Sequence, residues 1–551
     1  MSVGETVERR SGPTAGTGAL ARLAALPEAA VLALLFLAGA VFSAVTIMKG
    51  IQQNDEGLML QAAARIASGE VPYSDFWWFY PPGQPYLLAG LWEVFGPSLV
   101  PWRVLRVLTD ASVGVLVYLL ARRYASPGLA LAAWLAAIGA MASPSGPHPY
   151  PVALAFALGA LLAMTRYPVA AGVLTGLCAL WRIEFAAYLG LAVVCAYAVR
   201  PALERRRALG RYLPAAVVAT AALFAPVVLA AGLSESWDLL IRYPIQDFAD
   251  YQSLPFPLSY EGDINLASLR AARDTVASLL IFYLPLVLLV GSAATVLALG
   301  LRWSRARWPQ VAVVVFTLGM AHYLLVRTDQ FHTGPLAVMF SVLAAWAIGS
   351  RGVAFRSMRR LPAAAAGVAV VALVWVAAQG IERVVRELEI DSVAIDIPVA
   401  DGVAELPRGR CSLPGDEPVR YCTLDELEQA VDYVRRTVPP GEPIYVATRR
   451  SDLITSGSPL FYVLAERPNP TRYDIQAPGL ITSAPVQREI VGQLERAGLP
   501  PVVRWTAAIT AAPEPNRAGE STGVHVLDDF LDRRYRPAAR FGSYLILEGR
   551  G

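Results

Sequence analysis

Apolar residues along this 551-residue chain gather into long runs separated by short polar stretches. Runs of roughly 17–25 residues recur near 29–48, 103–121, 128–143, 150–165, 168–182, 183–199, 212–232, 276–300, 309–326, 333–349 and 361–380. Each is about the length of a helix that crosses a bilayer, so the pattern predicts an α-helical polytopic membrane protein with about eleven transmembrane helices. The shallowest division is at "LWRIEF", where Arg182 and Glu184 interrupt an otherwise continuous run. The first run has no A-x-A-like site and is followed directly by others, which predicts a retained span rather than a cleaved leader. Composition agrees, with 55% hydrophobic residues against the roughly 45–50% of soluble chains.

The polar stretches between the runs alternate in charge. "ARRY" (121–124), "RYP" (166–168), "RPALERRRALGR" (200–211), "LRWSRARW" (301–308) and "SRGVAFRSMRR" (350–360) are rich in arginine and hold one acid, Glu204. The intervening loops carry Asp55, Glu56, Glu70, Asp75, Glu93, Asp247, Asp250, Asp263 and Asp329. Basic residues stay on the cytoplasmic side, so this alternation predicts a cytoplasmic N-terminus and an outward-facing C-terminal part. Positive charge is almost all arginine, Lys49 being the single lysine, as a GC-rich bacterial genome produces. A net charge of +3 without a basic stripe argues against a nucleic-acid partner.

Residues 1–24 are small and polar and read as a disordered cytoplasmic tail; residues 25–380 form the membrane domain. Two outer loops are too long for simple connectors. In the first, 50–101, "EGLMLQAAARIASGE" has helical spacing that ends near Gly69, and "YPPGQPYLLAGLWEVFG" restarts after prolines and ends at Gly96. These predict two helices along the outer membrane surface, with Trp77, Trp78, Phe79 and Tyr80 at headgroup depth. The second, 233–275, has the turn residues and aromatics of a mobile loop that covers a substrate. From about 385 to 551 helix and strand patterns alternate: "LDELEQAVDYVRRTV" before "PIYVAT", "APVQREIVGQLERAG" before "PPVVRWT", and "VLDDFLDRRY" before "GSYLILEG". That order predicts an extracytoplasmic α/β domain with mostly parallel strands. Of four cysteines, Cys178 and Cys195 fall in apolar runs, while Cys411 and Cys422 flank a Pro/Gly turn on the oxidising side and are disulfide candidates. No Walker, GxGxxG, zinc or solenoid-repeat pattern occurs.

The acid pair Asp55-Glu56 opens the first loop helix, where Asp55 is placed to cap it. A first span followed by "NDEG", a helix, "ASGEVPYSDFWWFYPPGQPYLLAGLWEVFG" and then "WRVLR" resembles the GT-C superfamily of membrane glycosyltransferases. Within it, the chain is most similar to the branch of protein O-mannosyltransferases and the lipid A aminoarabinose transferase. The layout of 29–380 matches, and the motifs concentrate in 52–106. The resemblance implies a sugar donor carried on polyprenyl phosphate and an acidic motif at Asp55 and Glu56, with Asp55 as the base. It implies an acceptor outside the membrane (cell-envelope glycan, lipid or protein), hexosyl or pentosyl transfer, and residence in the bacterial plasma (inner) membrane. It also implies no cofactor, although Asp329, His332 and the first-loop acids are oxygen and nitrogen ligands suited to a divalent cation.

A phosphate leaving group calls for outward-facing cations. Arg103, Arg106 and Asp110 share one face of the second span at i, i+3 and i+7, which suits either phosphate binding or an internal ion pair between Arg106 and Asp110. Arg182 and Glu184 mark the turn between the fifth and sixth runs. "VRTDQFHTGP" places Arg327, Asp329 and His332 in a polar turn between two apolar runs, suited to phosphate or sugar binding. Tyr80 and Trp78 are candidate platforms for a sugar ring. His148 reads as a loop residue and His322 as a satisfied histidine within a span. Two other readings are a transporter or flippase of lipid-linked saccharides and a non-catalytic scaffold for envelope polymers. The first needs inverted repeats and mid-membrane acids, of which Asp110 is the one example.

Overall fold

A computed structural model describes residues 27–47, 52–96, 98–141, 149–299, 307–349, 360–389, 424–512 and 514–550. The N-terminal tail, His148, Cys411 and Cys422 lie outside the described residues.

The apolar runs form helices α1 (Glu28–Ala44), α4 (Leu99–Arg122), α5 (Pro127–Met141), α6 (Tyr150–Ala163), α7 (Pro168–Trp181), α8 (Ile183–Ala198), α9 (Ala202–Ala231), α10 (Leu269–Phe282), α11 (Leu284–Leu299), α12 (Trp308–Val326), α13 (Gln330–Gly349) and α14 (Arg360–Glu389). Helices α2 (Asp55–Ala67) and α3 (Gly83–Phe95) lie between the first two. Among the described residues five helices (α4, α9, α12, α13 and α14) are individually long and apolar enough to cross a membrane. A sixth candidate is the pair α10 and α11, bent by 53° at their junction. The other five runs are the shorter apolar helices α1 and α5 to α8. Side chains from the short and the long helices together, such as Ala137, Leu154, Leu189, Met320 and Phe340, close one core at 0% exposure.

A second core joins both long loops to the C-terminal domain. Helix α2 is buried on most of its surface rather than lying open on a membrane surface. Trp77, Trp78 and Phe79 are 7%, 1% and 8% exposed, and the Trp77 N–H donates to the Arg472 carbonyl at 2.7 Å. The expected headgroup belt is therefore a protein core. An apolar aromatic run signals that it avoids water, and a covering domain satisfies that as well as lipid does. Helix α3 does keep an apolar outer face, with Val94 71% and Phe95 49% exposed.

The C-terminal domain comprises α15 (Leu424–Thr437), β1 (Tyr445–Thr448), α16 (Leu460–Ala465), α17 (Ala484–Arg496), β2 (Val502–Trp505), α18 (Val526–Arg534), β3 (Tyr535–Phe541) and β4 (Tyr544–Gly549). Its sheet has the order β1-β2-β4-β3. Among the described strands only β1 and β2 are parallel, in register Tyr445↔Val502, so the expectation of mostly parallel strands is corrected. The cause is a strand hidden in "YRPAARF": β3 returns into β4 through Gly542 and Ser543, and a two-residue connection joins only antiparallel strands. The second long loop, expected as a mobile cover, contains a π-helix at Asp238–Asp247 and a short helix at Ala249–Gln252. It is tied to the C-terminal domain by Asn516, whose Nδ2 donates to the carbonyls of Tyr251 (3.1 Å) and Ser253 (2.9 Å).

Candidate active site

Asp55 is the first residue of α2, behind the N-cap Asn54. Neither side chain caps the helix, so the expected capping role is corrected and the Asp55 carboxylate is not spent on a helix N–H. Among the described residues its side-chain hydrogen bond comes from Asn54 Nδ2, at 2.9 Å. Asp55 is half-buried. Desolvation pushes its carboxyl above the usual range; the Asn54 bond and the charge of Arg327 oppose this, and the charge of Asp329 adds to it.

Two arginines arrive from distant helices by the same local device. Arg182 is the single residue between α7 and α8, at φ −149° and ψ 105°. Arg327 follows α12 at φ −142° and ψ 106°. One extended residue between helices turns the chain and carries the long side chain off the helix axis. The Arg182 Nη1 donates to Glu184 at 3.1 Å, and its guanidinium lies 5.9 Å from the Tyr80 ring and 5.8 Å from the Tyr323 ring. Its Nε–H is buried without a hydrogen-bond acceptor among the described residues. Gly83 permits this approach, since a Cβ there would lie 2.6 Å from the Leu180 carbonyl oxygen, at the end of α7.

Arg327 is more fully engaged. Its Nε donates to Asp329 at 2.8 Å and its Nη2 to Glu514 of the C-terminal domain at 3.0 Å, while its Nη1 reaches the Gln252 carbonyl at 3.1 Å. Asp329 Oδ1 accepts the backbone N–H groups of Phe331 and His332 at 2.9 and 3.0 Å, capping α13, and also meets His332 Nδ1 at 2.6 Å. Burial works to raise the Asp329 carboxyl, but the His332 hydrogen bond and the His332 and Arg327 charges outweigh it and hold it down to about 2. An ionised carboxylate only accepts, so Nδ1 carries the imidazole proton; Nε2 donates only when the ring is protonated. The His332 ring packs on Tyr323, with centroids 4.5 Å apart. Tyr80 joins the group electrostatically: desolvation and the Asp55 charge push its phenol up to about 12 against the pull of Arg182 and Arg327.

Asp55, Tyr80, Arg182, Glu184, Arg327, Asp329 and His332 thus share one neighbourhood, drawn from the first loop and two helix junctions. The remaining candidates lie elsewhere. Glu56 accepts both arms of Arg103, at 2.7 and 2.8 Å, with both side chains 0% exposed. A sealed bidentate pair leaves neither group for catalysis or phosphate, and both expectations are corrected on that ground. Arg106 donates to Thr46 Oγ1 at 3.0 Å and lies 4.0 Å from Asp110, which accepts from Ser43 at 2.7 Å. This buried group braces α4 against the end of α1, so Arg106 takes the ion-pair alternative rather than facing phosphate. Trp78 sits behind Tyr80, sealed at 1% exposure, and offers no ring face to a substrate. Asp55, Asp329 and His332 do not converge as metal ligands. Among the described residues the one such group is Asp452, His525 and Asp528, whose acids are already paired with Arg450 (2.5 Å) and Arg504 (2.6 Å).

Sequence reasoning missed Tyr323 and Glu514. Tyr323 carries a faint signal, lying four residues before Arg327 near the end of its helix, whereas Glu514 in "APEPNR" carries none.

No protein-family model matches the chain, and no curated protein sequence does. Solved structures do. The chain is similar to ArnT from Cupriavidus metallidurans bound to undecaprenyl phosphate, with a TM-score of 0.55 and 15% identity over 95% of this chain and 98% of that one. It is also similar to the apo state of that protein, with a TM-score of 0.51 and 15% identity over 97% and 98% of the two chains. The chain has the GT-C fold. A polytopic helical domain followed by a C-terminal domain is the architecture of these GT-C structures, and the likeness runs through both parts.

Proposed function

We propose that the protein is a bacterial inner-membrane glycosyltransferase that moves a hexosyl or pentosyl group from a polyprenyl-phosphate donor to a glycan, lipid or protein acceptor outside the membrane. One observation carries this reading: Asp55, a carboxylate without an ion-pair partner among the described residues, lies in the same neighbourhood as Arg182, whose buried Nε–H is unclaimed. The fold supports it, because the ArnT structure that holds undecaprenyl phosphate is similar over nearly the whole chain.

The acceptor hydroxyl attacks the anomeric carbon as the bond from that carbon to the phosphate oxygen breaks. Asp55 accepts the hydroxyl proton, and polyprenyl phosphate leaves with the bonding electrons. Its raised pKa makes Asp55 a stronger base than an exposed aspartate, whose pKa is about 3.9. Arg182 receives the growing phosphate charge through the Nε–H it has free. Arg327 adds positive potential, with Asp329 and His332 holding its turn. Tyr80 stays a neutral phenol across physiological pH, able to hydrogen-bond a sugar hydroxyl. The orientation implied by the arginine-rich loops opens this neighbourhood to the cell exterior.

The test is transfer by purified protein in lipid nanodiscs, offered a panel of radiolabelled polyprenyl-phosphate sugars with cell-envelope acceptors. Label should move from one donor to one acceptor class, and the Asp55→Asn protein should bind that donor without turning it over. Undiminished transfer by Asp55→Asn would remove Asp55 as the base.

A further inference from the structure

The turn that carries Asp55 is gripped from above by the C-terminal domain. The Leu460 N–H donates to the Gln53 carbonyl at 3.2 Å. Gln53 Oε1 accepts from Ser458 Oγ and from the Tyr544 hydroxyl, each at 2.8 Å. Gly57 completes the contact, since a Cβ there would lie 2.2 Å from the Leu460 nitrogen and only glycine lets α2 and α16 meet this closely. Asp55 stands in the middle of this held segment and is reached from the C-terminal domain through one side chain. The Gly457 N–H donates to Asn54 Oδ1 at 3.2 Å, and Asn54 Nδ2 donates to Asp55 Oδ1 at 2.9 Å.

The chemistry of the two ends fixes the amide between them. A peptide N–H only gives and a carboxylate only takes, so the oxygen of Asn54 must face Gly457 and its nitrogen must face Asp55. Aspartate at 54 would turn an acceptor on an acceptor, and an aliphatic residue would leave both ends unmet. Because α2 is capped by neither side chain, this amide has no helix-terminus role that would account for it. We propose that Asn54 is a positioning residue, the link through which the C-terminal domain fixes the aim of the Asp55 carboxylate in the transfer reaction. The domain is thereby a working part of the site. This inference rests on the reading of Asp55 as the base.

The charged groups that act on Asp55 are Arg327 and Asp329 from the α12–α13 turn, of opposite sign, and the Tyr80 phenol from the first loop in turn feels the Asp55 charge. Asn54 is the neutral donor among them, and a donor to the charged form of an acid favours that form. The experiment uses the full-length protein in nanodiscs and follows the Asp55 carboxyl by infrared pH titration, taking the Asp55→Asn protein as the difference reference. Asn54→Ala should move the Asp55 midpoint upward by about one pH unit. Asn54→Asp, which can still accept from Gly457 but presents a like charge to Asp55, should move it further; this variant keeps the test decisive if the alanine protein folds poorly. With the polyprenyl-phosphate sugar that the wild type uses, kcat at pH 7 should fall about tenfold in Asn54→Ala, with donor KM unchanged. A wild-type midpoint and wild-type kcat in Asn54→Ala would overturn the inference, as would a change confined to donor KM. If the midpoint moves but the wild type transfers no sugar from any donor, the proposed function falls and the link from Gly457 to Asp55 stands.

Discussion

Asp55 and Glu56 are adjacent acids with opposite surroundings. Glu56 faces inward, takes both arms of Arg103 and is sealed at 0% exposure. Asp55 is half-buried, receives one neutral amide and has its proton held more tightly by desolvation. The first is a charge already paired, so it braces α2 against α4 with both oxygens taken by Arg103. The second is a carboxylate with no ion-pair partner among the described residues, whose desolvation destabilises the folded chain but which is left able to accept a proton. Net sequence charge treats the two alike; geometry separates structure from chemistry.

The largest expected effect tests the reactive half of that contrast. Asp55→Asn should lower turnover by about 10²–10⁴-fold while leaving the affinity for the proposed polyprenyl-phosphate donor unchanged, measured by radiolabel transfer and by lipid binding. The same variant should melt no lower than the wild type. A raised carboxyl pKa means the folded state binds the proton more tightly, so the associated stability is present at low pH and lost as pH rises through the folded value. At neutral pH the charged Asp55 therefore destabilises the fold, and a neutral amide relieves it. Glu56→Gln should do the reverse. It strands a buried guanidinium and should destabilise the protein by about 3–5 kcal/mol, read as a lower melting temperature in detergent. A Glu56→Gln protein of normal stability that lacks only turnover would break the comparison.

Next in size is Arg182→Gln, expected to reduce donor kcat/KM by about 10–100-fold, as the loss of charge-assisted hydrogen bonds to phosphate does. The smallest effect sharpens the electrostatics. The acid limb of the pH–rate profile should lie above the ordinary aspartate range, because transfer needs Asp55 ionised and its pKa is raised. Arg327 lowers that pKa, so Arg327→Gln should carry the limb to higher pH, by up to about one unit. A limb that moves to lower pH would show that Arg327 does not act on Asp55.

Much of this was legible in the sequence because membrane helices declare themselves by length and apolarity, and a charge between two such runs stands out. Arg182 and Arg327 were visible for that reason, as were Asp329 and His332. Arg103 looked equally eligible, because a run of residues does not reveal which face of α4 meets Glu56 and which meets a ligand. The aromatic stretch at 76–80 announced avoidance of water without saying which apolar phase receives it. The contacts that tie the C-terminal domain to the site join residues 403 positions apart at Asn54 and Gly457, and 187 apart at Arg327 and Glu514. Such pairs leave no local periodicity. Strand β3 escaped for a different reason: its "YRPAARF" lacks the β-branched residues that mark a strand, and it is held by its hairpin partner β4.

The contact between Arg327 and Glu514 has a further consequence. The protein's own carboxylate already occupies this guanidinium, so on the proposed reading a donor phosphate would reach Arg327 by exchange rather than into a vacancy. Its apparent affinity is then the difference between two anions on one guanidinium. Whatever draws Glu514 away from Arg327 would then strengthen the hold on the proposed lipid donor without touching it.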